Sequence, residues 1–178
     1  MTDLDARCLD AFPNWLRGLA QDARALSEIV LDDGRSTDER RHVTRSLNYL
    51  FKSLDLIPDG IEDLGFIDDA FVFRVGAVAA LGAGAPPDGA VARLAADAQL
   101  IEEFMAEDHG RLVRYVASLD SVVARGRSVD DVLGDPAAAA DLARDVREWA
   151  DAYQAPSFAR DPKTLVKLRA FLAAKLPA

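Results

Sequence analysis

The chain is poor in the residues that build stapled or metal-clipped scaffolds. Its 178 residues include one cysteine, Cys8, and two histidines, His42 and His109. A lone cysteine closes no internal disulfide, which suits a reducing compartment, and Cys8 is expected as a small packed apolar side chain. The histidines stand far apart without the H-E-x-x-H spacing of a metal-binding helix. Long apolar runs are also missing: the longest, Val75 to Ala85, is about half of the ~20 residues that a spanning helix needs. The opening residues, Met1-Thr2-Asp3-Leu4-Asp5, are acidic and do not read as a signal peptide. Positive charge is scarce, with 21 Lys and Arg against 30 Asp and Glu, for a net charge of −9 and a pI near 4.7. Such a field repels phosphate backbones and anionic lipid. A cytoplasmic protein with no nucleic-acid partner and no membrane span is expected. Phosphate-binding loops, dinucleotide fingerprints and nucleophile elbows are absent from the sequence as well.

What is present is helical periodicity. Phe12, Leu16, Leu19, Ala23, Leu26 and Val30 form one apolar stripe, with Pro13 marking either the start of the first helix or a kink in it. Ser36 and Glu39 frame a capping box before a second helix whose buried face is Val43, Leu47, Leu50 and Leu54. A third helix is predicted from about Ile67 to Ala83, including the strand-like run Phe71 to Val75. A fourth, capped by Asp88, carries Val91, Leu94, Ala98, Ile101 and Met105. A fifth carries Leu112, Val116, Leu119 and Val123 and is read as a continuation of the fourth through His109-Gly110 with a bend. Ser128 with Asp131 opens a short turn, and the Asp135-Pro136 and Asp161-Pro162 pairs each place a cap before a helix-starting proline. The fold class is therefore all-α, a single domain over residues 1–178 with six or seven helices. Arginine in excess of lysine, together with abundant alanine, matches a GC-rich bacterial genome.

The informative stretch runs from 54 to 70, where five aspartates and Glu62 interleave with strongly apolar residues. Burying Leu56, Ile57, Leu64 and Ile67 draws these acids toward the core boundary, where charge must be paired or hydrogen-bonded. An EF-hand register starting at Asp55 fails, because its twelfth position is Phe66 instead of a bidentate carboxylate. Asp55-Leu56-Ile57-Pro58-Asp59 followed by Leu64-Gly65-Phe66-Ile67-Asp68-Asp69 resembles the YkvA-like family, a bacterial domain of unknown function. The resemblance covers about residues 40–80 and departs at Leu54, where many members have proline; residues 88–178 carry no family pattern. It implies a helix–motif–helix element and a candidate patch, not a reaction.

The patch comprises Asp55, Asp59, Asp68 and Asp69 with Arg45 and Arg74. Read structurally, Asp59 and Glu62 frame a one-turn helix that Pro58 positions, and Gly65 supplies a left-handed stop. Asp68 or Asp69 then caps the third helix, with Arg45 or Arg74 as counter-charge, and no cofactor is needed. Read functionally, the four aspartates converge as oxygen ligands for Mg²⁺ or Ca²⁺, or they receive a basic partner. The expected function is a non-enzymatic interaction or regulatory module with a protein as its partner. The alternative is a divalent-metal-dependent hydrolase built on the aspartate cluster.

Overall fold

The computed structural model describes every residue except Leu54. Among the described residues eight α-helices follow one another: α1 (Asp3–Val30), α2 (Thr37–Tyr49), α3 (Ile67–Gly82), α4 (Ala90–Met105), α5 (His109–Ser118), α6 (Val129–Gly134), α7 (Pro136–Ala152) and α8 (Pro162–Lys175). Seven of them have ten residues or more and α6 has six. No strand occurs among the described residues, so Phe71 to Val75 is helix. No helix among them is long and apolar enough to cross a membrane.

Local chemistry sets the helix ends. Thr2 and Asp5 form a complete capping box, so α1 starts at Asp3 and runs through Pro13 without stopping there. An interior proline costs about 3 kcal/mol, but Phe12, Trp15 and Leu16 are buried around it, and about 1.5–3 kcal/mol for each offsets that cost. Ser36 Oγ accepts from Glu39 N at 3.1 Å, while the Glu39 carboxylate turns to Arg35 at 2.9 Å; half of the expected box forms. Ser128 with Asp131 makes both capping bonds, and Asp135 and Asp161 cap α7 and α8 as their sequence signals require. Asp88 does not cap α4, whose N-cap is Gly89 with no side-chain bond. The α4–α5 break falls at Ala106, where φ is 49°, and not at His109-Gly110.

The core sits around α3, which is buried on nearly every side from Ile67 to Ala77 and packs between α2 and α4. Gly76 lets α2 approach closely, since a Cβ there would lie 2.1 Å from Ser46 Oγ. The long α1 crosses behind, touching α2, α3, α4, α7 and α8. Phe12, Trp15, Phe71 and Phe104 interlock beneath it with ring centroids 5.0–6.1 Å apart. Cys8 is fully buried in this core, as expected. Of the buried face expected for α2, Val43 and Leu47 are buried and Leu50 is half-buried; Leu54 lies outside the described residues.

Candidate functional site

The acidic hairpin joins the end of α2 to the start of α3. Leu56, Ile57, Leu64 and Ile67 anchor it in the core, so the intervening polar residues are held in register by burial. Its backbone is a succession of turns, with Ile61 N donating to Pro58 O at 3.0 Å and Gly65 N to Ile61 O at 3.0 Å. The expected one-turn helix capped by Asp59 is not formed. Nor is Gly65 the left-handed residue: Asp63 (φ 66°) and Phe66 (φ 65°) take that conformation. Gly65 is needed for a different reason, because a Cβ on it would lie 2.2 Å from the Asp59 carbonyl oxygen. The strain at Phe66 is offset by its ring, which packs edge-on against Trp149 and Tyr153 with centroids 6.1 and 5.3 Å away.

Phe66 is also the N-cap of α3 and makes no side-chain cap bond, so Asp68 and Asp69 occupy the first turn without capping it. Both point inward. Asp68 is 0% and Asp69 2% exposed. Asp68 Oδ2 accepts from the Tyr49 hydroxyl at 2.6 Å and from Ile57 N at 3.3 Å. The Tyr49 hydroxyl in turn accepts from Leu56 N at 2.9 Å. Asp68 Oδ1 and Asp69 Oδ2 are buried without a hydrogen-bond partner, as is Oδ1 of the half-buried Asp55. Asp59 approaches from the exposed side, and one carboxylate oxygen each from Asp59, Asp68 and Asp69 lies within 4.8 Å of the other two. The hairpin thus brings three of the four predicted aspartates into one cluster, with Asp55 beside it.

The counter-charges expected there are elsewhere. Arg45 faces the α5–α6 connection, where it meets Asp120 at 3.5 Å and His42 Nδ1 at 2.8 Å. Arg74 lies further along α3 and turns to α1 and α4. It pairs with Asp97 at 3.1 Å and Asp22 at 3.6 Å and stacks over the Trp15 ring at 4.2 Å. No ion pair among the described residues reaches Asp59, Asp68 or Asp69.

The electrostatics follow from this burial. Desolvation pushes the Asp55 carboxyl up to about 7, with Asp68 and Asp59 adding to it and Lys52 opposing it. Desolvation raises Asp59 as well. It also raises Asp68, where the Tyr49 and Ile57 hydrogen bonds pull back, and Asp69, where the charges of Asp68, Asp55 and Asp59 push further. Burial, then the aspartates, raises three tyrosines that the sequence did not single out for this site: Tyr49, Tyr115 (to about 12) and Tyr153. Neither Tyr49 nor Tyr153 carries a signal for this site in the sequence. Their nearness to the acids arises only when α2, α5 and α7 converge on the hairpin. The donor set is purely oxygen, which suits hard cations and offers nothing to thiophilic metals.

Comparison of the chain with protein-family models, with curated proteins and with solved structures finds no match.

Proposed function

We propose that this protein is a non-enzymatic regulatory module of the YkvA-like type, whose acidic centre is a receptor for positive charge. One observation carries the reading: Asp68 and Asp69 bury adjacent carboxylates, each with an oxygen that has no partner. Taking a charge out of water without a counter-charge costs several kcal/mol per ion. The α3 dipole returns only about 0.3–2 kcal/mol to acids in its first turn. An arriving cation recovers the difference, so occupancy and fold stability are linked. The hydrolase alternative fits less well, because two of the three converging carboxylates lie below the surface and a substrate would meet Asp59 alone. The run Asp55–Asp59 and Leu64–Asp69 supports the family assignment, and the lone buried Cys8 and net charge of −9 support a cytoplasmic setting with a protein as partner.

The test is the Asp69→Asn variant melted in chelator-containing buffer at pH 8. Replacing one of two crowded, unpartnered acids by a neutral amide raises the melting temperature, whereas most single substitutions lower it. A fall in melting temperature counts against an uncompensated centre. Turnover of a phosphoester in the presence of Mn²⁺ would overturn the non-enzymatic part of the reading.

A further inference from the structure

We infer that the cation taken by this centre is a hard divalent metal ion of the Mg²⁺ or Ca²⁺ class, held by one oxygen each from Asp59, Asp68 and Asp69. The inference rests on the reading of the centre as a receptor for positive charge and names what that receptor takes.

Three features single out a metal ion over a basic side chain. The first is the division of labour on Asp68. Its Oδ2 is fixed by the Tyr49 hydroxyl and Ile57 N, while its Oδ1 is left buried and unpartnered. Metal-ligating carboxylates are held this way, one oxygen oriented by the protein and the other kept for the ion. The second is spacing. Oxygens on opposite sides of an ion bound at 2.3–2.6 Å are at most about 4.6–5.2 Å apart, and shorter bonds bring them closer. The three carboxylates offer oxygens within 4.8 Å of one another, so one ion spans the set with little rearrangement. The third is access. Asp68 and Asp69 are buried and Asp59 is exposed, so the approach is from the Asp59 side. A bare ion needs less room on that side than an ammonium on its four-carbon stem.

Asp59 is placed by backbone packing: its carbonyl sits in the space that Gly65 leaves open. The far side of the hairpin is braced by the segment around α8, through Ser157 Oγ to Asp63 at 3.3 Å and Lys167 Nζ to Glu62 O at 3.4 Å. These contacts brace the hairpin that carries Asp59, which lowers the ordering cost of binding.

The experiment uses the full chain, stripped with chelator and titrated separately with MgCl₂, CaCl₂ and MnCl₂ during thermal melting. Tb³⁺ serves as a luminescent probe sensitised by Tyr49, which is bonded to Asp68. At about a hundred times its dissociation constant, an ion that binds only the folded state raises the midpoint of a domain of this size by roughly 5–10 °C. We expect that shift with at least one of the three ions, Tb³⁺ emission that the same ion quenches by competition, and loss of both in Asp69→Asn. Absence of any shift and of Tb³⁺ emission at 10 mM (~10 mM being ample for weak sites) overturns the metal inference. If Asp69→Asn still melts higher than the parent in chelator, the receptor reading survives that outcome; if it does not, both fail. A shift that persists undiminished in both Asp69→Asn and Asp68→Asn places the ion elsewhere and likewise overturns the inference.

Discussion

Replacing Tyr49 by phenylalanine removes one oxygen and tests how the hairpin is held. The hydroxyl is buried, donates to Asp68 Oδ2 at 2.6 Å and accepts from Leu56 N at 2.9 Å. Losing a hydrogen bond to a charged group costs about 1.5–3 kcal/mol, and leaving the Leu56 amide buried without a partner costs about 1–3 kcal/mol. The two losses share one site and do not add in full, so about 3–4 kcal/mol is expected. For a chain of this length that lowers the melting midpoint by roughly 6–15 °C. Phenylalanine keeps the ring packing, so a cavity contributes little. Urea titration at unchanged slope gives the free energy directly. Tyr153→Phe provides the internal comparison, since its hydroxyl donates only to the Leu16 carbonyl at 2.8 Å and its loss costs about 1 kcal/mol. If Tyr49→Phe costs no more than Tyr153→Phe, the Tyr49–Asp68 bond does not hold the hairpin, and the argument that Asp68 is pre-oriented collapses with it.

Gly65→Ala forces a methyl group against the Asp59 carbonyl, where only 2.2 Å is free. It should destabilise the protein by about 1–3 kcal/mol in urea titration, as overpacking does, and weaken Tb³⁺ emission because Asp59 is displaced; an unchanged midpoint would show that the turn has slack. His42 is shifted below its ordinary value by burial first and by the neighbouring Arg45 next. The folded state therefore favours neutral His42, and the stability it supplies is full above about pH 6.5 and is lost as the pH falls through the lowered folded value. Compared with the parent, His42→Gln, which can still accept from Arg45, should lose less stability between pH 7 and 5; parallel profiles would refute this.

The parts of the fold legible in the sequence are those that depend on neighbours in the chain. Ser128 with Asp131, Asp135-Pro136 and Asp161-Pro162 act within one turn of themselves, and each marks a helix start. The acidic hairpin is legible as a place for the same reason, because its apolar anchors alternate with acids over a few residues. Its geometry is not. The direction of Asp68 and Asp69 depends on the left-handed Phe66, which is tolerated only because its ring finds Trp149 and Tyr153. The partners of Arg45 and Arg74, namely Asp120, Asp22 and Asp97, come from other elements of the fold, so nearness in sequence to the acidic hairpin does not predict where either arginine pairs. The role of Gly65 is hidden in the sequence because glycine near a helix start suggests a positive φ more readily than a close backbone approach.

The way the last two helices close onto the first has a consequence for the order of assembly. Tyr153 bonds the Leu16 carbonyl across 137 residues, Arg160 pairs with Asp10 across 150, and the Phe158 ring meets Phe12. During synthesis at about 5–20 residues per second, Leu16 waits roughly 7–30 s for Tyr153 to be made. Through that interval α2, α3 and α4 already have one another, because their contacts are between consecutive helices and form early. The flank of α1 that α7 will cover has no such neighbour. A nascent chain therefore carries the α7-facing flank of α1 open to chaperones or to a second nascent chain, and burial of that flank is the late step of folding.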